Sequence, residues 1–166
     1  MGSAFRFLAT ATLGSTVVMA LILMATAVPA DARFSTSRAA EIYTGLVADT
    51  AVGGYDPVAY FTAGKAIPGS VDITLQHDGV MWRFASESNR DAFAADPVRY
   101  APQFGGYCAF AIAQGSIAKG DPEAWSIVDG KLYLNYDARI KATWLKDAKN
   151  LIAKGEKNWP AALERS

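Results

Sequence analysis

The sequence predicts a single small α+β domain of two β-hairpin–helix units, with an antiparallel sheet and packed helices. Two Asp-Gly pairs, at 78–79 and 129–130, each separate short runs of largely apolar residues, as type I′ hairpin turns do. Ser86 and Asp137 follow these hairpins, and each can cap a helix. The chain after residue 32 is also long enough to bury a hydrophobic core.

The first unit is predicted to contain strands over 73–77 and 80–84. A two-residue loop predicts cross-strand pairs that share one largely apolar face: His77 with Val80, Leu75 with Trp82 and Ile73 with Phe84. We expect the following helix to begin at Glu87 and to end at Asp96, because the residue before Pro97 disfavours helical geometry.

The second unit is predicted to contain strands over 125–128 and 131–136. The residues on its expected apolar face are Trp125, Ile127, Leu132 and Leu134. Asp137 is expected to cap a longer helix that Gly155 ends. The apolar stripe of that helix consists of Ile140, Trp144, Ala148, Leu151 and Ile152.

The two units have the form of an internal repeat. Their Asp-Gly turns lie 51 residues apart, as do Ser86 and Asp137, and a Gly-Gly-Tyr triplet precedes each hairpin. Chance recurrence is the alternative, since such turns and caps are common in α+β proteins. If the repeat is genuine, Asp56 and Cys108 occupy equivalent positions after their triplets.

The N-terminal segment, residues 1–32, has the features of a signal peptide. Arg6 supplies positive charge, a strongly apolar stretch covers 17–28, and the small-x-small pattern at 30–32 predicts cleavage before Arg33. The alternative is an uncleaved N-terminal membrane anchor, because the uncharged stretch is about 20 residues long.

The predicted organisation is therefore a signal peptide (1–32), a lead-in segment (33–50) and an exported α+β domain (51–166). We expect a short helix over 39–43 within the lead-in segment. The domain is expected in the periplasm or outside the cell, without membrane contact once the signal is removed.

Charge composition excludes some partners. The sequence has 16 basic and 16 acidic residues and no basic block, which argues against nucleic acid or an anionic membrane surface. Cys108 is the single cysteine, so the domain has no internal disulfide and no Cys-x-x-Cys exchanger.

Cys108 is the residue whose side chain is the strongest candidate for a chemical role. It opens an apolar run over 109–114, and in the first turn of a helix its thiolate would be stabilised and its pKa lowered. The alternative is a buried, inert thiol. A nucleophilic cysteine needs a base, and His77, the single histidine, is expected at the rim of the first hairpin's apolar face.

Several polar and aromatic residues of the two halves could also form a binding site. A polar-aromatic pocket between the halves would be lined by Tyr55, Asp56, Tyr60, Tyr107 and Asn135, which could equally be ordinary core residues. The potential metal ligands are Cys108, His77, a methionine and scattered carboxylates. No ligand-spaced pair exists, so a structural zinc site is not expected, whereas a soft-metal site at Cys108 stays open.

Several motifs together resemble a family. They are Gly53-Gly54-Tyr55-Asp56-Pro57-Val58-Ala59-Tyr60-Phe61, Trp82-x-Phe84-x-Ser86, Asn89-Arg90, Pro97-x-x-Tyr100, Pro102-Gln103-Phe104-Gly105-Gly106-Tyr107-Cys108-Ala109, Gly130-Lys131-Leu132-Tyr133-Leu134-Asn135-Tyr136 and Asn158-Trp159-Pro160. This combination is similar to exported bacterial YHS-domain-containing proteins. The resemblance implies a link to heavy-metal and copper systems, in which the family's cysteines are the presumed ligands. Here the corresponding positions hold Ala59, Ala85 and Asn89, so those thiolates are absent.

The sequence therefore favours an exported, YHS-like binding module over an enzyme, because no complete catalytic set is present. Its ligand is a small molecule or a soft metal such as copper. The alternatives are a thiol-based redox enzyme or sensor that uses Cys108, and a structural or interaction domain without chemistry.

Overall fold

The computed structural model describes residues 40–165, with side chains to Glu164. The predicted signal peptide and the lead-in segment before Ala40 lie outside the described residues. From 40 to 50 the chain forms bends, turns and isolated bridges, so the helix expected over 39–43 is wrong in its described part. Within 40–165, no helix has the length and apolar character needed to cross a bilayer. The remaining elements confirm the predicted α+β class.

The first half of the domain contains two strands and three short helices. After a 3-10 turn at Ala51–Gly54, its elements are α1 (Ala59–Thr62), β1 (Ser70–His77), β2 (Val80–Phe84), α2 (Glu87–Ala95) and α3 (Pro97–Tyr100). The Ser86 hydroxyl accepts a hydrogen bond from the Asn89 N–H at the start of α2, as a helix cap does. The predicted hairpin and capped helix are therefore confirmed.

The second half follows the same order. After a 3-10 turn at Gln103–Gly106 come α4 (Ala109–Ala113), β3 (Asp121–Val128), β4 (Lys131–Asn135), α5 (Ala138–Leu145) and α6 (Ala148–Asn158), and a 3-10 segment at Ala161–Arg165 ends the described chain. Asp137 caps α5 by accepting from the Ile140 N–H at 2.7 Å.

The single long helix predicted after Asp137 is wrong, because the chain breaks between Leu145 and Ala148 and forms two helices. Gly155 lies inside α6 and does not end it. A Cβ at Gly155 would lie 2.7 Å from Cζ of Phe104, so close packing of that ring requires the glycine.

Each hairpin is a separate two-stranded antiparallel sheet. His77 pairs with Val80 and Leu75 with Trp82, as predicted. The predicted Ile73–Phe84 pair is wrong, because the register shifts between Ser70 and Thr74 and Ser70 pairs with Phe84. The second hairpin has the equivalent shift, between Asp121 and Trp125.

Two hydrophobic clusters form the core, and β4 contributes to both. Leu132 and Leu134 belong to the cluster around Trp82, Phe84 and Phe93. Tyr133, on the opposite face of β4, belongs to the second cluster with Phe104, Ile112 and Trp144. The alternating pattern predicts that one face of the second hairpin is buried, but β4 is buried on both faces. Ile127, on the predicted apolar face, is 37% exposed.

The internal repeat is present in the structure. Strand limits, register shifts and the starts of α2 and α3 recur with an offset of 51 residues, and the 3-10 turns recur with an offset of 52. In both turns the left-handed region is occupied by one bulky residue and two glycines: Val52, Gly53 and Gly54, then Phe104, Gly105 and Gly106. Asp56 and Cys108 thus occupy equivalent positions, two residues after these turns.

Candidate functional site

Cys108 lies at the N-cap of α4 and is buried, with 1% of its surface exposed. Burial raises the pKa of the thiol, although the nearby backbone N–H groups of Ala111, Phe110 and Tyr136 act in the opposite direction. The expectation of a lowered pKa is therefore wrong. A helix of five residues contributes a small dipole, and removal of water from the thiolate outweighs it.

Asn135 is the side chain that contacts the sulfur. Its Oδ1 lies 3.9 Å from Sγ of Cys108 and accepts a hydrogen bond from the Phe110 N–H at 3.3 Å. Asn135 is fully buried, and its Nδ2 has no hydrogen-bond partner within the described part of the chain. An unpaired buried amide donor is costly, so this nitrogen marks a place where a polar partner is missing.

Asp56 is also fully buried, and its carboxylate accepts four hydrogen bonds. Oδ1 accepts from the N–H groups of Val58 (2.8 Å) and Ala59 (3.2 Å). Oδ2 accepts from the Ala85 N–H (2.8 Å) and from Nδ2 of Asn89 (2.7 Å). Asp56 therefore connects the start of α1 to the end of β2 and to α2. Both of its carboxylate oxygens accept hydrogen bonds that stabilise the fold.

Tyr55 and Tyr60 lie near the start of β3. The hydroxyl of Tyr60 is buried and donates to the Pro122 carbonyl at 3.1 Å, and burial raises its pKa above the ordinary range. Tyr55 hydrogen-bonds to the carboxylate of Glu123, which raises the pKa of Tyr55, and partial burial adds to the effect.

Tyr107 faces the lead-in segment. Its hydroxyl donates to the Ala40 carbonyl at 2.8 Å, and its ring centroid lies 5.2 Å from that of Tyr43. Among the six predicted binding residues, the structure thus brings Cys108 and Asn135 into side-chain contact, while Asp56, Tyr60 and Tyr107 bond to other groups.

His77 ends β1 beside the first turn. Its Nε2 lies 3.3 Å from Oδ2 of Asp78, and its ring meets the Phe93 ring edge-on at 5.7 Å. No hydrogen bond joins it to Cys108 in the described chain. The imidazole is about one-third exposed and faces an open cleft.

This cleft, called the turn cleft below, has a volume of about 770 Å³. The first hairpin turn, the start of α3, the described end of the lead-in segment and Trp159 surround it. Its apolar wall includes Ile42, Val80, Trp82, Pro97, Val98 and Trp159. Glu41 and Asp78 are its acidic residues, and among residues 40–165 no lysine or arginine lines it. The volume and the mixed lining are typical of small-molecule sites.

Most of these lining residues were not expected from the sequence. They come from four segments far apart in the chain, and only His77 among the predicted site residues lines the cleft.

The candidate metal ligands, Cys108 and His77, both lie within the described part of the chain. Within residues 40–165, no group of three or more His, Cys, Asp or Glu side chains is placed to hold a metal ion. Cys108 contacts Asn135, and His77 contacts Asp78, so the two predicted metal ligands have separate surroundings.

The chain has no significant match to a known family profile, a curated protein or a solved structure. The turn cleft and the buried polar groups are therefore the features of the molecule that bear on its function.

Proposed function

We propose that the chain is an exported, YHS-like binding module without enzymatic activity, and that its ligand is a small apolar organic cation held in the turn cleft. The observation that supports this proposal is the part of the lining that the structure describes: apolar and tryptophan side chains, the Asp78 carboxylate, and no lysine or arginine. An ammonium group gains from carboxylates and from aromatic faces, while its apolar part replaces water on the wall.

Charge favours a cation over an anion. Asp78 is 71% exposed at the rim, so its attraction is screened by water and contributes modestly to affinity. Most of the binding free energy would come from burial of apolar surface against Val80, Val98 and Trp159. The Asp78 carboxylate would then select among ligands of similar size.

Copper is the less favoured ligand. The resemblance to YHS domains supports it, but Cys108 would be the sole thiolate, and the nearest side-chain oxygen is an amide, a poor ligand for a soft metal. Titration with Cu(I) provides the direct comparison, with Cys108→Ser as the matched variant.

The first experiment is calorimetric titration of the purified chain with benzyltrimethylammonium, benzyl alcohol and phenylacetate. We expect the cation to bind more tightly than the alcohol, and the anion to bind weakest. Asp78→Asn should weaken cation binding by about 2- to 5-fold, the range for one exposed charge, without changing the affinity for benzyl alcohol. Asn suits this turn, since Asp78 has a φ of 50°.

The repeat supplies the matched control. Asp129 occupies the equivalent turn position, with a φ of 48°, and does not line the cleft. Asp129→Asn should therefore leave binding unchanged. A second pair places a positive charge on an exposed valine: Val98→Lys should weaken cation binding, whereas Val71→Lys, on β1, should not. Equal affinity for cation and anion, or no binding of any of the three probes, would contradict the proposal.

A further inference from the structure

His77 is the one side chain in the described lining of the turn cleft that can carry a positive charge. Its Nε2 lies 3.3 Å from Oδ2 of Asp78. Its ring meets the Phe93 ring edge-on, with 5.7 Å between the centroids, and its backbone carbonyl accepts a hydrogen bond from Nε1 of Trp82 at 3.1 Å. These contacts hold the imidazole beside the carboxylate on which the proposed preference for cations depends.

The protonation state of His77 decides the charge in this part of the cleft. The neutral ring can donate its Nε2 hydrogen to Asp78, and the negative charge of the carboxylate then stays uncompensated. A second proton, at Nδ1, turns the ring into a cation 3.3 Å from that carboxylate. Because 34% of the His77 side chain is exposed, water reaches the ring and both forms are accessible in the folded chain.

The charged groups near the imidazole are few. In the described lining they are Glu41, from the lead-in segment, and Asp78. The elements that pack on the ring or line the cleft beside it present uncharged side chains there: Val80 and Trp82 from β2, Phe93 from α2, and Pro97 and Val98 from α3. The charged side chains at the start of α2 contact one another and do not line the cleft: Glu87, Arg90 and Asp91.

We propose that His77 is a pH-dependent switch of the turn cleft, which holds an organic cation while the imidazole is neutral and releases it when the imidazole is protonated. This inference rests on the proposed function, because it concerns ligand affinity at the same site. Protonation acts in two ways, since the imidazolium compensates the Asp78 carboxylate and also repels the ligand. Histidine is the side chain whose charge ordinarily changes between about pH 5 and 8, so uptake belongs to neutral pH and release to mildly acidic medium.

The size of the effect follows from exposure. Asp78 is 71% exposed, and one charge of this kind changes affinity by about 2- to 5-fold. Loss of the Asp78 attraction and gain of the His77 repulsion each contribute such a factor, so full protonation should weaken cation binding by about 4- to 25-fold. By linkage, a saturating cation opposes protonation by the same factor, which moves the titration midpoint of the ring down by about 0.6–1.4 pH units.

The test is calorimetric titration of the untagged full chain with benzyltrimethylammonium and with benzyl alcohol, at several pH values from about 5 to 8. We expect the affinity for the cation to fall by about 4- to 25-fold on acidification, and the affinity for the alcohol to change by less than about 2-fold. His77→Gln should remove the pH dependence. Asp78→Asn, which removes only the attraction, should keep about a 2- to 5-fold dependence.

Asp129→Asn is the matched control, because Asp129 occupies the equivalent position in the second turn and does not line the cleft. It should leave the pH dependence of the wild type unchanged. Proton NMR provides a second readout, since the sequence contains one histidine and its ring resonances need no further assignment. Saturation with benzyltrimethylammonium should move the midpoint of these resonances to lower pH, whereas benzyl alcohol should not.

The outcomes separate the switch from the site. Cation binding that stays tighter than alcohol binding but is equal at every pH overturns the switch and leaves the proposed function intact. The switch is also overturned by a ring titration that the bound cation does not move, or by a pH dependence that persists in His77→Gln, which would place the titrating group on a carboxylate. Absence of binding by both probes at every pH overturns the switch and the proposed function together.

Discussion

The fully buried Asp56 carboxylate allows a quantitative test of the four hydrogen bonds that it accepts. Asp56→Asn keeps the shape of the side chain but exchanges one acceptor oxygen for an NH₂ donor. Whichever way the amide turns, one pair of donors stays bonded and the other pair faces a donor. Two donors thus lose their acceptor, and the remaining hydrogen bonds lose their charge assistance.

Each such loss costs about 1–3 kcal/mol, so the free energy of unfolding should fall by about 3–5 kcal/mol. Because a domain of this size changes its melting temperature by roughly 3–4 °C per kcal/mol, the midpoint should drop by about 10–20 °C. Urea unfolding followed by tryptophan fluorescence measures the free energy directly.

The control for this prediction is Asp96→Asn. Asp96 is exposed and caps α3 through one hydrogen bond from the Arg99 N–H, and asparagine caps helices about as well as aspartate. Its free energy of unfolding should change by less than about 0.5 kcal/mol. A loss below about 1 kcal/mol for Asp56→Asn would show that the four hydrogen bonds do not hold the first half together.

Two further predictions concern stability. Burial, with smaller effects of Glu156 and Asp129, raises the pKa of Tyr133 from 10.0 to about 12, so the folded chain keeps this proton longer than the unfolded chain. The stability this gives is fully present below about pH 10 and is lost as the pH rises through about 12; urea midpoints across that range should fall less steeply for Tyr133→Phe than for the wild type. Gly155→Ala should destabilise the protein by about 1–3 kcal/mol in urea unfolding, because its methyl group would collide with the Phe104 ring. Helix propensity alone predicts a gain of about 1 kcal/mol, so increased stability would contradict the packing argument.

Local features of the fold could be predicted from the sequence. The turns at Asp78 and Asp129 and the caps Ser86 and Asp137 depend on a few neighbouring residues, and all four were placed correctly. The register shifts were missed because they depend on tertiary contacts. A Cβ at Gly120 would meet the carbonyl oxygen of Gly106, so this glycine before β3 was the available signal.

The surroundings of the candidate site were harder to predict. The burial of Cys108 arises from two separate segments, α4 and β4, and no pattern of spacing reports how much water reaches a sulfur. The break between α5 and α6 also has no strong local signal, since the apolar stripe continues across it. Trp144 before the break and Leu151 after it both pack in the second cluster.

The difference between the two halves explains where the turn cleft lies. In the second half, α6 continues to Asn158, and its Glu156 reaches Lys131 beside the second turn, at 3.9 Å between Nζ and Oε1. In the first half, α3 ends at Tyr100, because Ala101 precedes Pro102 and adopts an extended conformation. The space that a continued helix would fill beside the first turn is therefore left open, and Ala101 and Pro102 line it. The repeat preserves the backbone of both halves, while the early end of α3 leaves room for the cleft beside the first turn.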